Sequence, residues 1–167
     1  QGKGGLAGTY RLRCPIGYAY FKKLCNEGVI KMGNPAVVNF YDFAPVSDIT
    51  SIDNNDLFHR YHIFFPTKIR PSRYENSTIE GIKAGLIDLI KKLSVLEISS
   101  LSMPALGCGL GNLSFDDEVL PLIIHYGNKF VNSKGEKIFT YLFMPQNLTE
   151  KAEKKILSFD NEKYINK

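Results

Sequence analysis

The sequence feature that most restricts the fold is a loop of alternating glycines between a strand and a helix. Ile98–Met103 is strand-like, Gly107, Gly109 and Gly111 follow at alternate positions, and Ser114 is a fitting N-cap for a helix with an acidic first turn. Glycines let the backbone approach a phosphate, and free N–H groups at the loop and the helix start then point at it. The pattern is typical of an anion cradle, although a tight strand-to-helix turn without a ligand has the same pattern.

Along the chain, apolar residues alternate between strand and helix spacing, which is expected of an α/β domain. The clearest helix has apolar residues at helical spacing from Ile79 to Leu93, and Ser77 with Glu80 forms a capping-box pattern at its start. Residues 47–56 are polar and predict a turn or loop. The pattern predicts strands over residues 36–41, 61–65, 98–103 and 137–143, and further helices over residues 6–13, 18–26, 116–126 and 149–157.

Composition restricts the class of protein further. The chain of 167 residues is long enough for one domain with a core, and it lacks the run of about 18 apolar residues that a membrane-spanning helix needs. Its three cysteines are far apart, which indicates a reducing compartment without a disulfide framework, and no cysteine or histidine pair has metal-ligand spacing. We therefore predict no metal and no cofactor. The net charge of +4 is too small to indicate a dedicated nucleic-acid binder.

Three ordered segments resemble macro domains, the α/β modules that bind ADP-ribose. The run MPALGCGLGN, residues 103–112, resembles their second ligand loop, and GGLAG, residues 4–8, resembles the first ligand loop. The run IFFPTKIRPS, residues 63–72, resembles the strand and loop that carry an essential lysine in one branch of the family. That branch contains the human terminal ADP-ribose protein glycohydrolase and the DNA ADP-ribosyl glycohydrolase antitoxin DarG.

The resemblance implies a fold and a domain arrangement. It implies a three-layer α/β/α sandwich with a mixed central sheet over residues 1–146, and a C-terminal helix and charged tail over residues 147–167. Macro domains carry two strands and an asparagine-bearing turn before the first ligand loop, and an acidic residue near the end of the first strand meets the adenine. Because Gln1 already lies inside that loop, we expect these elements to precede the sequence given.

The resemblance assigns catalysis to Lys68, whose amine can attack the anomeric carbon of a ribose when it is unprotonated. It also implies that the two glycine-containing loops hold the diphosphate and proximal ribose through backbone amides. The implied substrate-binding residues are Gly4, Gly5, Leu6, Ala7, Thr67, Gly107, Cys108, Gly109, Leu110, Gly111, Asn112 and Tyr141.

Two of these positions have competing interpretations. Cys108 lies among the glycines, but no histidine is near it in sequence to activate a thiolate, so we predict packing or a backbone contact. Tyr141 and Phe143, on the last predicted strand, can stack on the adenosine or belong to the core.

The resemblance implies an ADP-ribosyl glycohydrolase that removes ADP-ribose from a protein carboxylate or a DNA base. In the human relative an aspartate follows the Gly-Cys-Gly-Leu run and assists release, whereas Gly111 stands there in this chain, as it tends to in the antitoxin-like relatives. A module that only binds ADP-ribose and a phosphatase that acts on ADP-ribose 1″-phosphate are the alternatives. Lys68 discriminates among them, since a module that only binds would not need it.

The implied partners are ADP-ribose, an ADP-ribosylated protein or DNA, and a toxin-type ADP-ribosyltransferase, without contact to a membrane. The expected location is the cytoplasm, or the nucleus if the protein is eukaryotic.

Overall fold

In the computed structural model, the described residues are 5–42, 60–69 and 75–143. They alternate between helices and strands, as the sequence pattern predicted. A 3-10 turn, Phe40–Asp42, follows the first strand, and a π-helical turn, Phe115–Val119, leads into the last helix. The other elements are α1 (Gly5–Arg13), α2 (Pro15–Asn26), β1 (Ala36–Asn39), β2 (Tyr61–Phe64), α3 (Ile79–Leu93), β3 (Ser100–Pro104), α4 (Leu120–Gly127) and β4 (Phe139–Phe143).

The four strands pair two by two within the described ranges. β1 and β2 are antiparallel, and Ala36 lies opposite Phe64. β3 and β4 are parallel, and Pro104 lies opposite Phe143. Parallel strands require a crossover, which the π-helical turn and α4 supply. Because β3 and β4 run in the same direction, their C-terminal ends meet at one edge of the sheet.

Helix α3 connects the two pairs of strands through one hydrophobic core. Its inward face packs with Met103 of β3 in a cluster of buried side chains, and Val37 of β1 and Ile63 of β2 pack against the same cluster. A second cluster, which includes Leu24 of α2 and Phe64, lies between the first two helices and the β1–β2 pair. The buried residues of the inward face of α3 are Ile82, Leu86, Leu89 and Leu93.

The start of α3 differs from the capping-box prediction by one residue. Thr78, not Ser77, is the N-cap, and its hydroxyl accepts a hydrogen bond from the Gly81 N–H at 3.1 Å. Both hydroxyls fit the pattern, but Ser77 is buried at 4% exposure against another loop, so it is not available to cap the helix.

Other element boundaries also differ from the prediction by one to three residues, and two of these differences have a local reason. The first strand ends at Asn39 instead of residue 41, because Phe40 begins the 3-10 turn. The helix predicted from residue 116 begins as a π-helical turn, and Pro121 in the first turn of α4 has no N–H to continue a regular ladder. The predicted turn at residues 47–56 and the predicted helix at residues 149–157 lie outside the described residues.

Candidate ligand-binding and active site

Two connections meet beyond the C-terminal ends of the strands. β3 ends at Pro104 and leads into residues 105–112, hereafter the glycine loop, while β2 ends at Phe64 and leads to Lys68. The Lys68 Nζ donates a hydrogen bond to the carbonyl oxygen of Leu110. The structure therefore brings the predicted lysine and the predicted second ligand loop together, at the edge where α/β proteins bind ligands.

Phe65 fixes the chain three residues before Lys68. A Cβ added to Gly85 of α3 would lie only 2.4 Å from the ring carbon Cζ of Phe65, so a glycine is needed for the ring to pack this closely. One helical turn earlier, Gly81 admits the side chain of Met32 in the same way. The position of Lys68 is thus tied to α3, which is anchored in the core.

The glycine loop is closed by its own backbone. The Leu113 N–H donates to the Gly107 carbonyl at 3.2 Å, and the Asn112 N–H donates to the Gly109 carbonyl at 3.1 Å. Gly107 has φ of +74° and Asn112 has φ of +60°. Glycine adopts this left-handed region freely and asparagine does so more readily than other residues, so the loop sequence fits the loop shape.

The residues directly before α3 hold the glycine loop from outside. The Ser77 N–H donates to the Gly111 carbonyl at 3.0 Å, and the Asn76 side-chain oxygen accepts from the Asn112 side-chain N–H at 2.8 Å. A Cβ on Gly111 would lie 2.2 Å from Ser77 Oγ and 2.3 Å from the Gly107 carbonyl oxygen. Neither Asn76 nor Ser77 was among the predicted site residues, and only their place between Lys68 and a helix start could have suggested a role.

The tip of the glycine loop carries amides that have no backbone acceptor among the described residues. Within the described ranges, no backbone carbonyl accepts a hydrogen bond from the N–H of Gly109, Leu110 or Gly111. Gly109 is exposed, and a Cβ added to it would meet nothing within 4 Å. Available amides beside open space are what an anion such as a diphosphate requires.

At the start of the helix after the loop, side chains already accept hydrogen bonds from backbone N–H groups. Ser114 is the N-cap, as predicted, and its hydroxyl accepts from the Asp117 N–H at 3.4 Å. The Glu118 carboxylate in turn accepts from the Ser114 N–H at 2.7 Å. The amides of the glycine loop, rather than those of the helix start, are therefore the donors that an anion would meet first.

Cys108 is a packing residue in this loop. Its thiol donates to the Leu106 carbonyl at 3.5 Å, and its side chain packs against the hydrophobic core. Burial raises the pKa of the Cys108 thiol to about 11, and the carboxylates of Glu118 and Asp116 add to the increase. A thiol with this pKa is a poor nucleophile at neutral pH, which supports the predicted packing role.

The first predicted ligand loop is the start of a helix. Gly4 lies outside the described residues, whereas Gly5–Ala7 form the first turn of α1, where Leu6 is 65% exposed. Helix α1 contacts β2 through Tyr10, whose hydroxyl lies 2.5 Å from Nδ1 of His62. Among the residues described, no hydrogen bond of the glycine loop reaches this first turn.

The last strand presents aromatic side chains to solvent. Tyr141 is 55% exposed and Phe143 is 66% exposed, so neither belongs to the core in this structure. Phe143 lies opposite Pro104, at the edge where the glycine loop begins, and Tyr141 lies two residues farther from that edge. Stacking on an adenosine remains a prediction for both.

Two exposed apolar residues are connected to Lys68, one by sequence and one by a hydrogen bond. Ile69 follows it directly and is 70% exposed, and Leu110, whose carbonyl accepts from the amine, is also 70% exposed. Thr67, directly before Lys68, is partly buried. The resemblance implied a binding role for Leu110 and Thr67 but not for Ile69.

The described ranges contain neither a metal-binding cluster nor a membrane-spanning helix. Residues 5–42, 60–69 and 75–143 include no group of three or more histidine, cysteine, aspartate or glutamate side chains arranged to hold a metal ion. No helix in the same ranges has the length and apolar character needed to cross a bilayer.

Comparisons with known proteins agree on one architecture, although no protein-family model matches the chain. A DNA ADP-ribosyl transferase–DNA ADP-ribosyl glycohydrolase fusion protein of Thermosipho africanus is 32% identical over 130 residues, which cover 75% of this chain and 32% of the relative. The solved structure of Thermosipho africanus DarTG in complex with ADP-ribose aligns with a TM-score of 0.71 and 27% identity, over 89% of this chain and 36% of that chain. The macrodomain of Thermus aquaticus DarG aligns with a TM-score of 0.63 and 25% identity, over 85% of this chain and 80% of that chain.

The fold and its glycine-loop site define a macro domain, which confirms the predicted fold class. Within that class, the chain belongs to the DarG branch. It spans less than a third of the length of the curated Thermosipho relative, at 32%.

Proposed function

We propose that this domain binds ADP-ribose and hydrolytically removes it from a modified macromolecule, a DNA base or a protein carboxylate. The observation that carries the proposal is the hydrogen bond from Lys68 to the carbonyl of Leu110, because a possible nucleophile and an anion-binding loop are then in contact. The names of the similar proteins, a DNA ADP-ribosyl glycohydrolase fusion and a DarTG complex with ADP-ribose, favour DNA as the substrate.

In this proposal the backbone binds the diphosphate. The amides of residues 109–111 would donate to its oxygens, and the first turn of α1, with Gly5, Leu6 and Ala7 of the first ligand loop, would approach it from the other side. Backbone donors suit this role because they are fixed before the ligand arrives and carry no side-chain entropy. The exposed ring of Tyr141 would meet the adenosine end of the ligand.

Lys68 would perform the chemistry. Its unprotonated amine attacks the anomeric carbon of the ribose, so that an N–C bond forms and the bond to the base or carboxylate breaks. The leaving group departs with the bonding electron pair, and the amine releases a proton to solvent. Water then adds at the same carbon, which breaks the N–C bond, releases ADP-ribose and restores the amine.

A module that only binds ADP-ribose is the second candidate, and Gly111 is the observation that favours it. The assisting aspartate of the human relative is replaced here by a glycine, and the close approach of Ser77 leaves no room for a Cβ at this position. Lys68 would then only orient the loop through the Leu110 carbonyl. The phosphatase alternative would use the same loop for ADP-ribose 1″-phosphate.

One assay separates these candidates. The protein is incubated with ADP-ribosylated single-stranded DNA, an ADP-ribosylated protein and ADP-ribose 1″-phosphate, and the released products are separated. Release of ADP-ribose from DNA, lost in Lys68→Ala and kept in Lys83→Ala on the exposed face of α3, is the expected result. Tight ADP-ribose binding without any release would establish the binding-only module, and phosphate release would establish the phosphatase.

A toxin-type ADP-ribosyltransferase is the partner that we propose, since the Thermosipho relative joins a transferase and a glycohydrolase in one chain. The proposed location is the cytoplasm, or the nucleus if the protein is eukaryotic, because a modified DNA lies there. Growth of cells that express such a transferase, with and without the intact Lys68 protein, tests the pairing.

A further inference from the structure

We propose that Asn76 and Ser77 are positioning residues, which hold the glycine loop in the shape that binds the ligand diphosphate. The inference rests on the proposed function, because it assigns these residues a part in the same site. It also adds a structural claim, that the connection between β2 and α3 sets the loop, and this claim can be tested without any ligand.

The peptide between Gly111 and Asn112 is held at both of its polar groups. Its carbonyl accepts from the Ser77 N–H at 3.0 Å, and its N–H donates to the Gly109 carbonyl at 3.1 Å. A peptide unit is planar, so fixing both groups fixes its orientation. Ser77 thus sets the direction in which the chain leaves the glycine loop.

The preceding peptide is held by Lys68. The amine donates to the Leu110 carbonyl. Because the carbonyl and the N–H of a trans peptide point in opposite directions, the Gly111 N–H points away from Lys68. No backbone carbonyl of the described residues accepts a hydrogen bond from that N–H.

The end of the loop is held by a side chain. Asn112 has a left-handed φ of +60° and its side-chain N–H donates to the Asn76 side-chain oxygen at 2.8 Å. Asn76 lies three residues before α3, whose inward face is packed in the core. A hydrogen bond to a residue so close to an anchored helix restrains Asn112 more than a bond to a mobile side chain would.

The hydrogen bonding of the Ser77 side chain does not explain why this residue lies against the loop. Its side chain is 4% exposed, and its hydroxyl has no hydrogen-bond partner within the described ranges. A buried hydroxyl without a partner is unfavourable. Contact with the glycines, rather than side-chain hydrogen bonding, therefore accounts for the position of Ser77.

One connection consequently holds the glycine loop at two sites. Residues 65–69 supply the amine that contacts Leu110, and residues 76–77 supply the bonds to Gly111 and Asn112. The nucleophile and the residues that hold the loop thus both lie between β2 and α3 in sequence, and both contact residues 110–112.

A double-mutant cycle on Asn76→Ala and Asn112→Gly tests the inference. Glycine at position 112 keeps the left-handed backbone accessible and removes only the side chain. The readouts are hydrogen exchange of the amides of residues 109–112, ADP-ribose affinity and KM, and the melting temperature. The control is Asn34→Ala, which removes side-chain hydrogen bonds away from the loop: one to the Val29 carbonyl at 2.9 Å and one from the Lys92 amine at 2.7 Å.

We expect each single variant to speed exchange of the loop amides and to weaken ADP-ribose affinity by roughly three- to tenfold. The double variant should be no weaker than the more damaged single variant, because both substitutions remove the same bond. KM should rise while kcat changes little, and Asn34→Ala should leave loop exchange and affinity unchanged.

Different failures are distinguishable. Unchanged loop exchange in Asn76→Ala would overturn the positioning role, whatever the ligand. Faster exchange with unchanged affinity would show that the contact is only structural, and additive effects in the double variant would show that the two asparagines act separately. If the unsubstituted protein does not bind ADP-ribose, the proposed function fails, while loop exchange still decides whether Asn76 positions the loop.

Discussion

The glycine loop and the first turn of α1 are both proposed to bind the diphosphate, yet the rest of the protein supports them in different ways. Hydrogen bonds donated by Lys68 and Ser77 and one accepted by Asn76 hold the glycine loop. The first turn of α1 exposes Leu6 to solvent. The hydrogen bond that joins α1 to the sheet lies farther along the helix, between Tyr10 and His62.

The difference indicates that the two loops contribute unequally to ADP-ribose affinity. A loop that already has its binding shape loses little freedom when the ligand arrives, so its amides contribute most of their interaction to affinity. A first helical turn exposed to solvent adjusts on binding and contributes less. We therefore expect substitutions in the glycine loop to have the larger effects, and the following predictions are ordered by expected size.

The largest effect should come from a side chain placed at Gly109. Gly109→Val should abolish ADP-ribose binding and leave the melting temperature nearly unchanged, because an added Cβ meets nothing in the protein but stands where the ligand would lie. Gly111→Val should also abolish binding, but it should cost about 1–3 kcal/mol of stability, because its Cβ would lie 2.2 Å from Ser77 Oγ. Calorimetry and thermal melts measure both. Normal binding by Gly109→Val would remove the glycine loop from the ligand site.

The second effect concerns turnover rather than binding. Lys68→Ala should lower kcat more than tenfold, which is more than about 1.4 kcal/mol of transition-state stabilisation, while ADP-ribose affinity changes much less. Lys68→Arg should be nearly as damaging, because a guanidinium stays protonated and cannot attack. Single-turnover release from modified DNA and calorimetry separate the two quantities. Equal losses of affinity and turnover would make Lys68 a binding residue, and full activity in either variant would exclude it from the chemistry.

The better-supported loop was also the more predictable one, and the reason is local geometry. Gly107 is required because its backbone is left-handed, and Gly111 because no space is left for a Cβ. Both requirements leave a glycine in the sequence, where the pattern can be recognised. The role of Lys68 came from the resemblance to a family, since an isolated lysine is ordinarily a solvated surface residue.

The supports of the loop could not be predicted in the same way. Asn76 and Asn112 are 36 positions apart, and nothing in the sequence near either asparagine indicates the other. Ser77 matched a capping-box pattern, but its contact with Gly111 across the fold left the cap to Thr78. Tertiary contacts of this kind determine which of two neighbouring residues caps a helix when the local sequence pattern fits both.

The third prediction concerns the tie of α1 to the sheet. Tyr10→Phe removes the hydroxyl that bonds His62 and should lower stability by about 1 kcal/mol, while ADP-ribose affinity falls by less than roughly threefold. Tyr18→Phe on α2 is the control, because the Tyr18 hydroxyl makes no hydrogen bond in the described part of the chain. Thermal melts and calorimetry on both variants provide the measurements. A loss of affinity as large as that of Gly109→Val would mean that the two loops contribute equally to binding.

The smallest effect should come from Cys108, which lies in the strongly held loop but contributes only packing and backbone. Its pKa is raised to about 11 from an ordinary value of 9.0, because burial disfavours the thiolate. A raised pKa means that the protonated thiol is favoured by the folded state, so this contribution to stability is fully present below pH 9 and is lost as the pH rises towards 11.

At pH 7.5, iodoacetamide should label the exposed Cys25 before Cys108, and Cys108→Ala should keep turnover within about twofold. Rapid labelling of Cys108 at that pH, blocked by ADP-ribose and accompanied by loss of turnover, would instead make the thiol a reactive group of the site.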